Sequence, residues 1–138
     1  MKGIFVLFSS FMLFSITINS QITVTVTGAG NTTPALSNSY PTLLSALDAF
    51  DDVTAMTGPV VFAVTGSETA PVPGFSIGNA TVNSVLNSTN TFTIIGNATI
   101  NAGIGTQTPM SLSMDGMLVI NGSDWVTIDG LTFTDSNL

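Results

Sequence analysis

Between residues 22 and 27, apolar and polar side chains alternate strictly. The apolar side chains are Ile22, Val24 and Val26. The polar ones between them are Thr23, Thr25 and Thr27. A period of two is typical of a strand that buries one face. We therefore predict a half-buried strand over residues 22–27, with its threonines facing solvent.

The hydrophobic period changes between residues 41 and 52. Apolar side chains there follow helical spacing, at Leu43, Leu44, Leu47 and Phe50. This spacing predicts one short amphipathic helix that begins between Ser39 and Thr42. Asp51 and Asp52 would oppose the helix dipole, so we expect the helix to end near Phe50.

From residue 60 onward, short apolar runs alternate with polar turns that contain Gly or Asn. The continuous run at residues 60–64 predicts a strand covered on both faces, as in parallel sheets. Further strands are predicted over residues 81–86, 91–95, 98–100, 117–120, 125–128 and 131–134.

Gly-containing corners divide two of these units. Asp129-Gly130 separates two apolar pairs, Val126 with Ile128 and Leu131 with Phe133. Gly96-Asn97 does the same upstream, where Phe92 and Ile94 precede it and Ala98 and Ile100 follow it. We expect these apolar residues to face inward, and the solvent-facing residues to be Thr127, Thr132 and Thr134. Strand, corner and strand without a helix between them predict stacked coils of a solenoid.

The first 20 residues have the pattern of an export signal. Lys2 supplies a positive charge, and the apolar stretch over residues 4–14 is broken only by Ser9 and Ser10. The stretch is shorter than the roughly 20 residues that a membrane anchor needs. We predict that residues 1–20 are a secretory signal peptide cut after Ser20. Residues 21–138 then form one domain of a secreted or extracellular surface protein.

Charge composition narrows the chemistry further. Lys2 is the only basic residue, the chain has eight acidic residues, and it has neither His nor Cys. After export no thiolate, imidazole, Schiff-base lysine or arginine clamp remains. Nucleic acid is excluded as a partner because phosphate binding depends on Lys and Arg. No transmembrane segment is expected once the signal is removed.

Three motifs carry a family resemblance: Tyr40-Pro41-Thr42-Leu43, then Gly58-Pro59-Val60, then the stretch over residues 120–133. Their order resembles the N-terminal part of the pectin-lyase-like region of large secreted bacterial surface proteins. The resemblance implies an all-β fold, a right-handed parallel β-helix (solenoid) start with one short N-terminal capping α-helix. The sequence ends directly after a strand, so we expect residues 21–138 to be the cap and first coils, truncated at the C-terminus. The last strand would then have an uncovered edge, and the isolated segment should self-associate.

Two carboxylates in the third motif, Asp124 and Asp129, could serve a glycosidase. Turn chemistry explains them more simply, because Asp124 precedes a strand and Asp129 occupies an Asp-Gly corner. Trp125 and Tyr40 could stack on sugars, although packing against neighbouring strands is the ordinary role of single aromatics. The sequence therefore predicts no catalytic, cofactor-binding or metal-binding residue in this segment.

Calcium binding and N-glycosylation are two further possibilities that the residue types raise. Abundant oxygen ligands favour calcium over other ions, but neither an EF-hand nor a nonapeptide calcium loop is present, so no cofactor is predicted. Asn-x-Ser/Thr sequons begin at Asn31, Asn79, Asn87, Asn97 and Asn121, a number that chance explains in a chain this rich in Asn, Ser and Thr.

These observations favour a non-catalytic extracellular structural or adhesive β-solenoid module, with extracellular glycans or cell-surface molecules as partners. The alternative is the N-terminal cap of a carbohydrate-active β-helix enzyme, a polysaccharide lyase or glycosidase, whose catalytic coils lie beyond Leu138. A third hypothesis, an ice- or mineral-binding solenoid, requires Thr or Asp rows stacked over many coils.

Overall fold

The computed structural model describes residues 21–72, 74–103 and 116–135. In these ranges the chain forms nine strands, two α-helices and one 3-10 helix, Ala29–Asn31. The strands are β1 (Thr23–Thr27), β2 (Thr32–Thr33), β3 (Ser39–Tyr40), β4 (Ala55–Met56), β5 (Val60–Thr69), β6 (Phe75–Ile77), β7 (Phe92–Asn101), β8 (Leu118–Ile120) and β9 (Val126–Thr134). The α-helices are α1 (Leu43–Asp51) and α2 (Ala80–Asn83). The predicted signal peptide, residues 1–20, lies outside the described residues.

One mixed sheet dominates the structure, with five strands in the order β3-β1-β5-β7-β9. β1 runs antiparallel to both β3 and β5, whereas β5, β7 and β9 run parallel to one another. Two small sheets accompany it, an antiparallel pair of β2 with β4 and a parallel pair of β6 with β8. Parallel and antiparallel pairing therefore coexist around β5.

The prediction of a right-handed parallel β-helix is wrong. The strands lie in separate sheets with mixed directions, and none of these sheets is closed or wound as a solenoid. Alternation of apolar residues specifies which face of a strand is buried, but it does not encode the direction of the neighbouring strand. The antiparallel pairing of β1 with β5 was therefore invisible in the pattern.

The two predicted corners are also not turns between strands. Gly96-Asn97 lies inside β7 and Asp129-Gly130 lies inside β9. The pairing register of these two strands shifts between Ile95 and Ala98, which is a bulge-like irregularity. The expected inward orientation still holds, because Val126 and Ile128 pair with the fully buried Phe92 and Ile94.

Other local predictions divide into confirmed and wrong. The first strand is confirmed as β1, and the helix is confirmed as α1, which ends at Asp51. The strand predicted over residues 81–86 is wrong, because the Asn79 side chain accepts hydrogen bonds from Thr81 N–H and Val82 N–H and begins helix α2. β5 is not covered on both faces, since Ala63 is exposed between the buried Phe62 and Val64.

The core lies between α1 and the large sheet. Its centre is an aromatic cluster in which Phe50 of α1 stacks on Phe92 of β7 with ring centroids 3.9 Å apart. Phe62 of β5 meets both rings edge-on, at 6.0 Å from Phe50 and 4.9 Å from Phe92. All three side chains are fully buried. This cluster joins the helix to two adjacent strands.

Side-chain carboxylates and a capping hydroxyl accept backbone hydrogen bonds at the two ends of α1. Thr42 is the N-cap and accepts a hydrogen bond from Ser45 N–H at 3.1 Å. The Glu68 carboxylate, on β5, accepts from Leu43 N–H at 2.6 Å. At the other end Asp51 accepts from Gly78 N–H at 2.9 Å. These bonds satisfy backbone donors that a helix or loop would otherwise leave open.

Candidate interaction surface

The face of the large sheet that points away from the core is rich in hydroxyl groups. We call it the outer face. Its cross-strand rows are Thr27, Val61, Thr93 and Thr127, then Ser39, Thr25, Ala63, Ile95 and Asp129. The predicted exposure of Thr23, Thr25 and Thr27 is confirmed. The rows also show that these threonines continue across neighbouring strands, which one strand's sequence could not reveal.

The chemistry of the outer face is that of a neutral polar platform. Strand spacing in a sheet places the members of one row about 4.8 Å apart. Asp129 is the one ionisable residue in the two rows, and Ile95 adds an exposed apolar side chain. Such a face can donate and accept hydrogen bonds and offer small apolar contacts, as neutral polar ligands require.

The five-stranded sheet ends at β3 on one side and at β9 on the other. β9 has one neighbour, β7, among the described strands. The Trp125 carbonyl accepts a hydrogen bond from Phe92 N–H at 3.1 Å. Backbone groups alternate sides along a strand, so those of Val126 and Ile128 point away from β7. Past the irregularity, the Thr134 carbonyl accepts from Ala102 N–H at 2.8 Å, so the backbone groups of Leu131 and Phe133 point outward too.

We call this line of outward backbone groups, at Val126, Ile128, Leu131 and Phe133, the terminal edge. The same four side chains extend the apolar layer beneath the sheet but are only partly covered. Val126, Ile128 and Leu131 are half-buried and Phe133 is 42% exposed. Within residues 21–72, 74–103 and 116–135, no strand pairs with these outward backbone groups, and the apolar side chains of the same residues are only partly covered.

Asp124 and Asp129, the two carboxylates that could serve a glycosidase, are both exposed. Asp129 stands inside β9 in register with Ile95, and Asp124 lies in the turn before the strand. Neither lies in a buried environment of the kind that tunes a general acid. Asp129 is not the turn residue that the Asp-Gly pattern predicted, since the strand continues through it.

The two single aromatics behave differently. Tyr40 packs as expected, with its ring 6.4 Å from that of Phe62, and its hydroxyl accepts a hydrogen bond from Ser37 N–H. The packing role expected for Trp125 is wrong, because its side chain is 53% exposed. Trp125 also has a φ of 63°, an uncommon left-handed conformation for a bulky residue, directly before the terminal edge.

Most of the sequon asparagines make structural contacts. Asn31 donates to the Pro59 carbonyl, Asn79 donates to the Asp51 carbonyl, and Asn121 donates to the Ser76 hydroxyl. The Asn87 side chain accepts from Thr89 N–H within its own loop. Asn97 is exposed in β7. The abundance of asparagine thus stabilises turns and links between strands, a role that the sequon pattern alone did not indicate.

The environment of the Asp51 carboxyl group changes its pKa. Burial raises its pKa above the ordinary value of 3.8, and the nearby charges of Asp48 and Asp52 raise it further, while the hydrogen bond from Gly78 N–H opposes them. This carboxyl lies at the C-terminal end of α1, remote in the chain from the terminal edge. Its role is to join the helix to the loop before α2.

No group of three or more His, Cys, Asp or Glu side chains in the described ranges could hold a metal ion. None of the helices in the same ranges is long and apolar enough to span a bilayer.

Comparisons with known proteins found no matching family model, no matching curated protein and no matching solved structure. The resemblance to a pectin-lyase-like region therefore stays a hypothesis. The parallel β-helix that it implied is not the fold of the described residues.

Proposed function

We propose that this chain is a non-catalytic structural or adhesive module of an exported protein that works at an extracellular surface. The observation that carries the proposal is the outer face, an exposed hydroxyl-rich sheet surface backed by a fully buried core. A surface of this kind suits display and contact, because the residues on its central strands β1, β5 and β7 are held by strand pairing on both sides.

The packing beneath the outer face supports a rigid role. Phe50, Phe62 and Phe92 lie directly under the central strands, and each is fully buried. No buried side-chain nitrogen or oxygen within the described residues lacks a hydrogen-bond partner. A well-packed core with satisfied polar groups holds one conformation, which a structural module requires.

The residue types in the sequence support a binding role over a catalytic one. The reactive side chains available are carboxylates and hydroxyls, since the chain has no His or Cys and its single basic residue is Lys2. The formal net charge of −7 would repel acidic polymers at low salt. Neutral glycan surfaces are therefore the favoured class of contact.

Export is tested by following the N-terminus. We expect a cell that secretes the full-length protein to release a form that begins near Gln21, because residues 1–20 have the length and pattern of a cleaved signal. Mass spectrometry of the medium measures the terminus. A soluble secreted form that retains Met1 would contradict the signal peptide.

The binding role is tested on solid glycans. Purified chain should be retained by microcrystalline cellulose or chitin more than by pectin, without release of new reducing ends. A triple variant of one outer-face row, Thr27→Val, Thr93→Val and Thr127→Val, keeps side-chain shape while removing hydroxyls and should reduce retention severalfold. Thr81→Val, an exposed threonine of α2, is the matched control.

Two outcomes would overturn this function. One is equal retention of the row variant and the native chain on every solid. The other is glycan cleavage that Asp124→Asn or Asp129→Asn abolishes, which would assign those exposed carboxylates a catalytic role.

A further inference from the structure

The loop between β8 and β9 contains Asn121-Gly122, the one Asn-Gly pair of the chain. An asparagine deamidates when the backbone nitrogen of the next residue attacks its side-chain amide carbon, and a following glycine has no Cβ to obstruct that approach. Gly122 is exposed, and a Cβ built on it would lie 3.9 Å from Asn83 Nδ2, an ordinary contact distance. The loop therefore leaves room for the reaction and is open to solvent.

Other asparagines of the described ranges are followed by residues that carry a Cβ. The next residue is alanine at Asn79, Asn97 and Asn101, and it is serine or threonine elsewhere. At Asn101 the following N–H also donates to the Thr134 carbonyl across the sheet, at 2.8 Å. The Gly122 N–H has a longer bond of 3.2 Å, to the Ile120 carbonyl of its own loop. The attacking nitrogen is thus least restrained at Asn121.

Three hydrogen bonds nevertheless hold Asn121 itself. Its N–H donates to the Ile77 carbonyl at 2.8 Å, and its carbonyl accepts from the Asn83 side chain at 2.8 Å. Its side-chain amide donates to the Ser76 hydroxyl. The bond to Ser76 involves the amide that would react, so it opposes the rotation that brings the amide carbon to Gly122 N.

We propose that Asn121 is the site at which the folded chain deamidates, and that its hydrogen bond to Ser76 sets the rate. Gly122 N forms a bond to the Asn121 amide carbon, and the amide nitrogen leaves as ammonia with the proton that Gly122 N gives up. Water then opens the cyclic imide at either carbonyl, which yields aspartate or isoaspartate at position 121.

Either product changes the contacts of the loop. A carboxylate accepts hydrogen bonds only, so the donation to Ser76 is lost. Isoaspartate also adds a methylene to the backbone and moves the carbonyl that accepts from Asn83 of α2. Deamidation therefore weakens the connection of β8 to β6 and to α2.

Ageing of the purified chain in mildly alkaline buffer tests the site. Chymotryptic peptides analysed by mass spectrometry follow each asparagine, and an isoaspartyl methyltransferase labels the second product. Asn121 should convert first among the described asparagines, at a rate that rises with pH because the attacking nitrogen must lose its proton. Earlier conversion of Asn97 or Asn101 would overturn the assignment.

Serine variants test the restraint. Ser76→Ala should speed conversion at Asn121 by roughly two- to tenfold, the equivalent of one hydrogen bond, whereas Ser76→Thr keeps a hydroxyl and should stay near the native rate. Ser88→Ala, an exposed change in the loop before β7, is the matched control. Circular dichroism checks that each variant is folded. Equal rates in Ser76→Ala and the native chain would show that this bond does not set the rate.

A measurement on the native chain needs no substitution. Unfolding in urea removes all three hydrogen bonds of Asn121, so conversion there should be faster in the unfolded chain than in the folded one. A folded chain that converts at the unfolded rate would overturn the proposed restraint.

Discussion

β7 and β9 have similar patterns and different environments. Their apolar residues pair one to one, Phe92 with Val126, Ile94 with Ile128, Ala98 with Leu131 and Ile100 with Phe133. Every member on β7 is buried, while the members on β9 are half-buried or exposed. β7 has a neighbour on each side, and β9 has one among the described strands. Burial depth thus depends on position in the sheet as well as on the pattern within the strand.

This difference in burial predicts that the strands of one sheet contribute unequally to the free energy of folding. The free energy of folding should come mostly from residues around β5 and β7, where apolar area is fully removed from water. Residues of β9 should contribute less to folding, because their side chains are only partly covered. Paired substitutions in the two strands test this division.

The largest expected difference is between two phenylalanines. Phe92→Ala would leave a cavity against Phe50 and Phe62 and should lower the free energy of unfolding by roughly 3–5 kcal/mol. Phe133→Ala removes a ring that is 42% exposed and should cost about 1 kcal/mol or less. Urea unfolding of both variants measures the two values. Equal losses would mean that β9 belongs to the same core as β7.

Two glycines inside the strands give the next test. A Cβ at Gly96 would collide with the Val64 carbonyl, and one at Gly130, where φ is 78°, would collide with the Gly96 carbonyl. We expect Gly96→Ala to cost roughly 2–3 kcal/mol and Gly130→Ala about 1–2 kcal/mol, because an edge strand can shift outward. Gly30→Ala, which meets no neighbouring atom, is the control in thermal unfolding. A larger loss of stability in Gly130→Ala than in Gly96→Ala would contradict the expectation that β9 tolerates change better than β7.

A smaller effect is expected where β5 meets α1. Glu68→Gln removes the charge that accepts hydrogen bonds from Leu43 N–H and Leu44 N–H at the helix N-terminus. The loss should be about 1 kcal/mol, since a carboxylate there benefits from the helix dipole and from charged hydrogen bonds. Asp129→Asn on the edge should change stability by less than about 0.5 kcal/mol. Denaturant midpoints compare the two, and equal shifts would contradict the expectation.

A further small effect is the pH response of Asp51. Its folded pKa is raised, so its proton is bound more tightly in the folded state than in the unfolded state. The free energy of unfolding is highest, with respect to this group, below the pKa of the unfolded state. It declines as pH rises from that value to the raised pKa of the folded state, and above the raised pKa the loss is constant. Solvent screening keeps the effect under about 1 kcal/mol.

Asp51→Asn keeps an acceptor for Gly78 N–H and removes the titration. Relative to the native chain, this variant should gain stability over that pH window and hold the gain at neutral pH. Unfolding measured across the window, with the exposed Asp124→Asn as the control, tests the sign. A variant less stable than the native chain at neutral pH would contradict it.

The sequence predicted local structure better than topology. The alternation at β1 and the helical spacing of α1 were sufficient, because both elements bury one face defined by their own residues. Strand direction was not predictable, since Val24 pairs with Val64 in the antiparallel direction through contacts 40 positions apart. The helix α2 was mistaken for a strand because the Asn79 cap outweighs the β-branched residues that follow it.

The candidate surface was predictable only in part. The exposed threonines on β1 followed from the alternation of apolar and polar residues. The continuation of the outer-face rows through Thr93 and Thr127 depended on register, which no single strand encodes. Trp125 is exposed and has a left-handed backbone, and neighbouring residues gave no signal of that conformation.

Trp125 is the single tryptophan of the chain, and it lies at the boundary of the sheet with half of its surface in water. Indole emission shifts to longer wavelength in water, so the native fluorescence should resemble that of a solvated fluorophore. An unfolding curve followed by this signal would report loosening of β9, whereas the stacked phenylalanines and amide circular dichroism would report the interior. If the boundary frays first, the optical transitions will fail to coincide, and a two-state fit to tryptophan emission alone would understate the stability of the rest.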